Sequence, residues 1–224
     1  AKENNYLASL IKKEENYGFS YIDISTGEFN LTEFADIHKV WDEIDRINPK
    51  EIITEDYFKK KKEYKKLKKD FNFLVNEKKG IKHKNSYNTL IEHFDTNSLE
   101  GFGCENLKAA VVAAGEIFKF LEKTQKKILA HINKLNTYHI NQYMVLDSAT
   151  RKNLELSSTI RQNKKGGSLL DIIDETITSM GGRLIKKWIN QPLINKDEIN
   201  KRLNAIEELT KNYINLDKLR EDLN

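Results

Sequence analysis

The chain has 224 residues, 38% of them hydrophobic and 32% charged, with a formal net charge of +4. That length holds one large domain or two small ones, and that composition supplies cores at roughly 100 residues per domain. No apolar run approaches the ~20 residues that cross a bilayer, no signal peptide is visible around Lys2 to Asn5, and one cysteine, Cys104, excludes an internal disulfide or a Cys-rich zinc site. A reducing cytoplasm is the expected compartment, with no membrane partner.

The first half reads as α/β. Tyr6 to Ile11 is a candidate strand, and Phe19 to Ser25 a stronger one, rich in aromatic and β-branched residues. Thr26-Gly27 supplies a turn with a residue that tolerates positive φ. Glu28 to Phe34 returns with Phe29 and Leu31 on one face, which completes a three-stranded antiparallel meander. Ile37, Val40, Trp41, Ile44 and Ile47 form one apolar helical stripe, stopped by Asn48-Pro49. Glu51 to Thr54 and Phe71 to Val75 are short strands. Between them crowd Lys59 to Lys62, Lys65, Lys66, Lys68 and Lys69. A phosphate-binding patch is one reading of this run. A solvated face is the better one, because few aromatic residues interleave the lysines and no Arg offers a bidentate fork.

Asn85 or Ser86 is placed to cap a helix that buries Leu90 and Phe94. After Gly101-Phe102-Gly103 a long helix runs from about Glu105 to Lys127, with Leu107, Ala110, Val111, Ala114, Phe118 and Leu121 as its stripe. Its small residues, Ala109, Ala110, Ala113, Ala114 and Gly115, let it lie close against a sheet. The order βββαβαβα matches the ribonuclease-H-like topology, so residues 1–127 are expected to form an α/β domain with a mixed sheet. Residues 128–146, including the polar stretch from Leu135 to Met144, read as a connecting segment.

From 147 to 224 every periodic stretch is helical. Asp147, Ser168, Thr178 and Asn195 stand at N-cap positions, and Asp171 sits where a capping box places Glu or Gln. The third of these helices is expected to bury Met180, Leu184, Ile185 and Trp188 before Pro192 ends it. Ile199, Leu203, Ile206 and Leu209 form the stripe of the fourth, and Leu216, Leu219 and Leu223 begin a last one. The chain reads as a piece of a longer protein whose helical part is truncated.

Reactive chemistry finds little support. A two-metal nuclease needs carboxylates that share ions, the first of them central on strand one. Here Asp23 lies on the second strand, Glu43 on the first helix, and Glu51 and Glu55 flank the fourth strand. Asp23 reads better as a strand-end hydrogen-bonding or exposed residue. The five histidines are scattered without metal-ligand spacing, and Cys104 has no neighbouring base. Gly166-Gly167-Ser168 and Gly181-Gly182-Arg183 do not fit a phosphate loop. Gly181 is expected to permit close helix packing. Arg183, Lys186 and Lys187 share a helix with Trp188, and a solvated face explains them without DNA.

One resemblance is specific. The ordered residues Leu146, Asp147, Thr150, Arg151, Asn153, Leu154 and Glu155, then Ser168, Leu169, Leu170, Asp174, Thr176, Thr178, Met180, Gly181, Arg183, Leu184, Trp188, Gln191, Pro192 and Leu193, resemble the MutS DNA mismatch-repair family at the start of its helical core. NYLASL at 5–10, YIDISTGEF at 21–29, NPKEII at 48–53 and HFDTNSLEGFG at 93–103 extend the likeness. The resemblance implies a connector domain followed by the beginning of the lever domain. It implies a parent that binds mismatched double-stranded DNA, uses ATP and Mg²⁺, dimerises and engages MutL, with the connector offering a surface for MutL. The family's Phe-x-Glu wedge and phosphate loop are absent from this sequence, so no catalytic, cofactor-binding or metal residue is carried over. A paralogue outside mismatch correction and a ribonuclease-H-like nuclease are the alternatives.

Overall fold

Alternation of apolar and small polar residues builds the first strands, and the small ones decide what packs on them. The computed structural model describes residues 4–55, 65, 73–78, 83–124, 129, 131–161 and 165–223. The chain divides into two compact units, Asn4–His139 and the part from Ile140 onward.

In the first unit, β1 (Tyr6–Lys13), β2 (Asn16–Asp23) and β3 (Phe29–Phe34) form the expected antiparallel meander. Gly27 makes the second turn at φ 75°. Helix α1 (Ile37–Ile47) buries Val40, Trp41, Ile44 and Ile47, and Asn48 ends it in the left-handed region, which an Asn side chain tolerates. Its N-cap is Asp36, whose carboxylate accepts from the His38 N–H at 2.9 Å. Then come β4 (Glu51–Glu55), β5 (Leu74–Lys78), α2 (His83–His93), a short 3₁₀ turn at Glu100–Phe102, and α3 (Lys108–Thr124). A sixth strand, β6 (Leu135–Thr137), closes the unit. Among the described residues the sheet order is β5-β4-β1-β2-β3-β6, with β4, β5 and β6 joined in parallel. This is the mixed α/β sheet expected from the sequence.

Leu7, Ile22, Phe29, Leu31 and Ile53 share one face of the sheet and pack on α3 in the main core. Between them on that face sit Ser9, Ser20 and Gly18, by strand register. They let the helix come close. A Cβ at Gly18 would lie 2.0 Å from the carbonyl carbon of Ala109. On its other side α3 meets α2, where a Cβ at Gly115 would lie 2.4 Å from the Ser86 Cβ. The Glu33 carboxylate of β3 accepts from the N–H groups of Ala109 (2.8 Å) and Ala110 (3.2 Å). A sheet side chain thus satisfies the first turn of the helix and faces the positive end of its dipole.

Four expectations are corrected. The helix expected to start at Glu105 starts at Lys108, because Glu105 is drawn into the preceding loop, accepting from the Tyr87 hydroxyl (2.9 Å) and the Leu99 N–H (2.8 Å). Its expected end at Lys127 lies outside the described residues. Asn85 and Ser86 are inside α2, not at its cap; Ser86 is buried at the crossing with α3. The strand expected from Phe71 begins at Leu74, where the Leu74 N–H donates to the Lys50 carbonyl; pairing with β4 sets its place, so it runs on into polar Asn76, Glu77 and Lys78. The stretch read as connecting contains β6, which has one buried side chain, Leu135, and no alternation long enough to read.

The second unit holds α4 (Ser148–Asn153), α5 (Leu169–Ile173), α6 (Ser179–Asn190), α7 (Lys196–Lys211) and α8 (Tyr213–Asp222). Asp147, Ser168, Thr178 and Asn195 cap the first four as expected. Met180, Leu184 and Trp188 are not buried; Met180 is 69% exposed. Their spacing does form an apolar stripe on α6, but among the described residues it is only partly covered. The stripe of α7 is likewise open at Leu203 and Ile206.

Replacing Gly18 or Gly115 by Ala forces a side chain into backbone or helix contact, and each is expected to cost about 3 kcal/mol or more. Gly101→Ala, where an added Cβ meets nothing within 4 Å, serves as the control and should be near neutral. Urea unfolding of the three variants checks this.

Candidate functional site

The buried ionisable groups Asp23 and Glu43 of the first unit are engaged in building it. The Asp23 carboxylate is buried at the end of β2 and accepts from the Asn4 amide (2.6 Å), the Ser25 hydroxyl (2.6 Å) and the Ser25 N–H (2.9 Å). Burial alone would push this carboxyl up, but those donors outweigh it and hold it below the usual range. Of the two readings left open for Asp23, strand-end bonding is the one observed.

Glu43 on α1 is buried and takes a two-pronged contact from Arg46, with Nε at 2.8 Å. The Tyr138 hydroxyl, one residue beyond β6, donates to the same carboxylate at 2.5 Å. The Tyr138 ring meets Tyr21 edge-on at 6.0 Å, and Tyr21 meets Tyr6 at 5.3 Å. Burial, then the Glu43 charge, pushes the Tyr138 phenol well above its ordinary value. Burial works against the Arg46 charge, yet the Glu43 carboxylate beside it keeps Arg46 protonated above even its ordinary range.

Glu51 accepts from the Asn76 side chain, and Glu55 accepts from the Lys12 N–H at 3.4 Å. The four carboxylates weighed for a nuclease therefore each have a partner of their own. Among the described residues no three His, Cys, Asp or Glu side chains are grouped to hold a metal ion. Cys104 is buried, and burial pushes its thiol up to about 11, away from thiolate chemistry.

The glycine pairs of the second unit do not suit a nucleotide phosphate either. The Gly167 N–H donates to the Asp171 carboxylate (3.0 Å), and the Gly181 N–H to the Thr178 hydroxyl (3.0 Å). Both N–H groups are thus engaged within the protein. Gly181 is corrected too: an added Cβ would meet Thr176 at 3.1 Å and Thr178 at 3.2 Å, within its own capping loop and not between helices.

The sequence-singled residues of the second unit converge in a different way. Asp147 accepts from the Thr150 N–H (2.7 Å), and Arg151 returns its guanidinium to the Leu146 carbonyl (2.5 Å). Past Asn153 and Leu154 the chain turns at Glu155, in the left-handed region at φ 48°. Its carboxylate then accepts from the Ile160 N–H (2.7 Å). The Leu169 and Leu170 N–H groups donate to the Glu155 and Leu156 carbonyls at 3.0 and 2.9 Å. Asp174 accepts from Lys165 (2.7 Å) and the Thr176 hydroxyl (2.5 Å), and these bonds hold its carboxyl far below the usual range. The Pro192 carbonyl accepts from the Met144 N–H (2.9 Å), and Tyr143 and Leu193 form an antiparallel bridge. The described residues of 143–193 thus form a hydrogen-bonded joint.

Two members of that joint escaped the sequence reading. Ser157 and Asn190 hydrogen-bond to each other across 33 residues, at 3.0 Å from the Asn190 amide. Arg202 of α7 lies 4.0 Å from the centroid of the Trp188 ring. Arg183 and Lys186 are half-buried and Lys187 is exposed. The lysine run from Lys59 to Lys69 lies outside the described residues, except Lys65, which is helical and exposed.

Comparison with known proteins is concordant along the chain. Residues 5–135 match the family model for MutS domain II, and residues 149–224 that for MutS domain III. The chain is 58% identical over 224 residues to the DNA mismatch repair protein MutS of Halothermothrix orenii, covering 99% of this chain and 25% of that protein. It is 42% identical over 226 residues to the MutS of Caldanaerobacter subterraneus subsp. tengcongensis, covering 100% of this chain and 26% of that protein. The MutS of Clostridioides difficile is 42% identical over 225 residues, covering 100% and 23%. The chain spans about a quarter of the length of these relatives.

The Asp23 carboxyl gives a pH test. Its folded pKa is depressed, so its contribution is present above the unfolded value of about 3.9 and is lost as pH falls through the folded value. Thermal melts between about pH 6 and pH 2 should show Tm falling more steeply for the wild type than for Asp23→Asn, whose Tm is lower at neutral pH. Parallel curves would contradict this.

Proposed function

This chain belongs to the MutS family of DNA mismatch-repair proteins, and we propose that its part is to couple domains, with the reacting steps carried elsewhere in the parent. The α/β unit is the connector, and the helical unit is the beginning of the lever. The observation that carries this reading is the joint at 143–193: the residues that most resemble the family fix caps, turns and helix exits, and none is left poised for chemistry. A connected set of short helices with fixed exits passes displacement from one end to the other.

On this reading mismatched DNA, ATP with Mg²⁺, and dimerisation belong to the whole protein, working in the cytoplasm. The connector offers MutL a protein surface. The used-up donors at Gly167 and Gly181 support placing nucleotide binding outside this chain. The hydrogen-bonded carboxylates Asp23, Glu43, Glu51 and Glu55 support reading the ribonuclease-H-like sheet as a scaffold and not as a nuclease.

Two measurements test the proposal. The purified chain should neither turn over ATP nor cleave DNA or RNA–DNA hybrids with Mg²⁺ or Mn²⁺; clear turnover or cleavage ends it. In the full-length parent, Asn190→Ala should lower the ATP-dependent change in DNA affinity by about fivefold or more while leaving nucleotide affinity unchanged. An unaltered ATP dependence would remove the joint from the coupling path.

A further inference from the structure

The chain leaves the first unit through its weakest-looking strand and its most heavily tied tyrosine. β6 has three residues, paired with β3 as Phe29↔Leu135, Asn30↔Asn136 and Leu31↔Thr137. Only Leu135 is buried, and Asn136 is exposed, whereas β1 buries five consecutive residues. Short edge strands with few buried side chains open at low free energy. Three polar ties offset this. The Tyr138 N–H donates to the Leu31 carbonyl at 3.1 Å. The Thr137 hydroxyl donates to the Phe102 carbonyl at 2.6 Å. The Tyr138 hydroxyl donates to Glu43, a carboxylate that Arg46 already neutralises. The second unit begins two residues later, at Ile140.

We infer that β6 together with Tyr138 is a detachable clasp, which sets how much free chain joins the two units by docking against β3, Phe102 and Glu43 or leaving them. Glu43 keeps its Arg46 partner when Tyr138 leaves, so release strands no unpaired buried charge. Asp23 and Glu28 act on Tyr6, and the charged groups that act on Tyr138 are Glu43 and Arg46. Release of residues 135–138 adds roughly 14 Å of reach at about 3.3–3.6 Å per residue. The inference rests on the fold of the first unit alone and stands or falls separately from the coupling role.

Hydrogen exchange on the whole chain tests it. Tyr138→Phe keeps the ring and deletes the bond to Glu43. The amides of residues 135–138 should then exchange about tenfold faster or more, while those of β1 and β2 keep their wild-type rates. Unchanged exchange at 135–138, or a uniform rise through the sheet, overturns the clasp. Asn30→Cys with Asn136→Cys, oxidised, locks the paired strands in an otherwise wild-type chain. The lock should slow exchange at 135–138 below wild type; if exchange there is no slower, the strand does not detach independently and the inference fails, whether or not Tyr138→Phe folds.

Discussion

The closeness of α3 to the sheet is the constraint on which the first unit depends. Ala109 rests on Gly18 with no room for a Cβ between them. From that contact follow the small residues on both surfaces: Ser9 and Ser20 beside Gly18, and Ala110, Ala113 and Ala114 along the helix. It also fixes where the helix begins, because Glu33 on β3 can reach the Ala109 and Ala110 N–H groups only if the axis lies that near. At the far side the same helix needs Gly115 to admit Ser86, so the two contacts wedge α3 between strand and helix. Interiors packed to crystal density transmit displacement without absorbing it. Packing this close joins α3 to β2 and α2 without slack.

Polar groups reinforce that packing. Asp23 ties the N-terminal segment to the end of β2, and Glu43 gathers Arg46 and Tyr138 beneath α1. A metal-dependent nuclease of similar topology needs carboxylates that share ions between them. Here Asp23, Glu43, Glu51 and Glu55 each accept from a neighbouring side-chain or backbone donor, and at Asp23 those donors hold the carboxyl below its usual range. The topology alone says nothing decisive about activity.

Much of this architecture was legible where local chemistry decides the outcome. Asn48-Pro49 had to end a helix, Gly27 had to take the turn, and Asp147, Ser168, Thr178 and Asn195 capped the helices they preceded. What stayed hidden depends on partners distant in sequence. Glu33 capping α3 spans 76 residues, Tyr138 reaching Glu43 spans 95, and β6 is a strand only because the edge of β3 receives it. Periodicity located the apolar stripe of α6 but could not say whether anything lies against it. In the joint, Asp147 and Thr178 were readable as caps. Ser157 and Asn190 were not, since neither residue type announces a partner 33 positions away.

The second unit orders itself differently from the first. Among its described residues, Leu156 and Leu170 are its buried hydrophobic side chains, while Leu184, Trp188, Leu203 and Ile206 stay open to solvent. A core that small contributes little, at about 1.5–3 kcal/mol per buried side chain. Its shape must therefore come from caps and loop hydrogen bonds, each worth about 0.5–1.5 kcal/mol net. Such bonds fix how one helix leaves the next without fixing a rigid body. The placement of α6 and α7 then follows whatever surface covers their apolar stripes. An element whose joints are fixed locally takes the arrangement of its faces from whatever covers them.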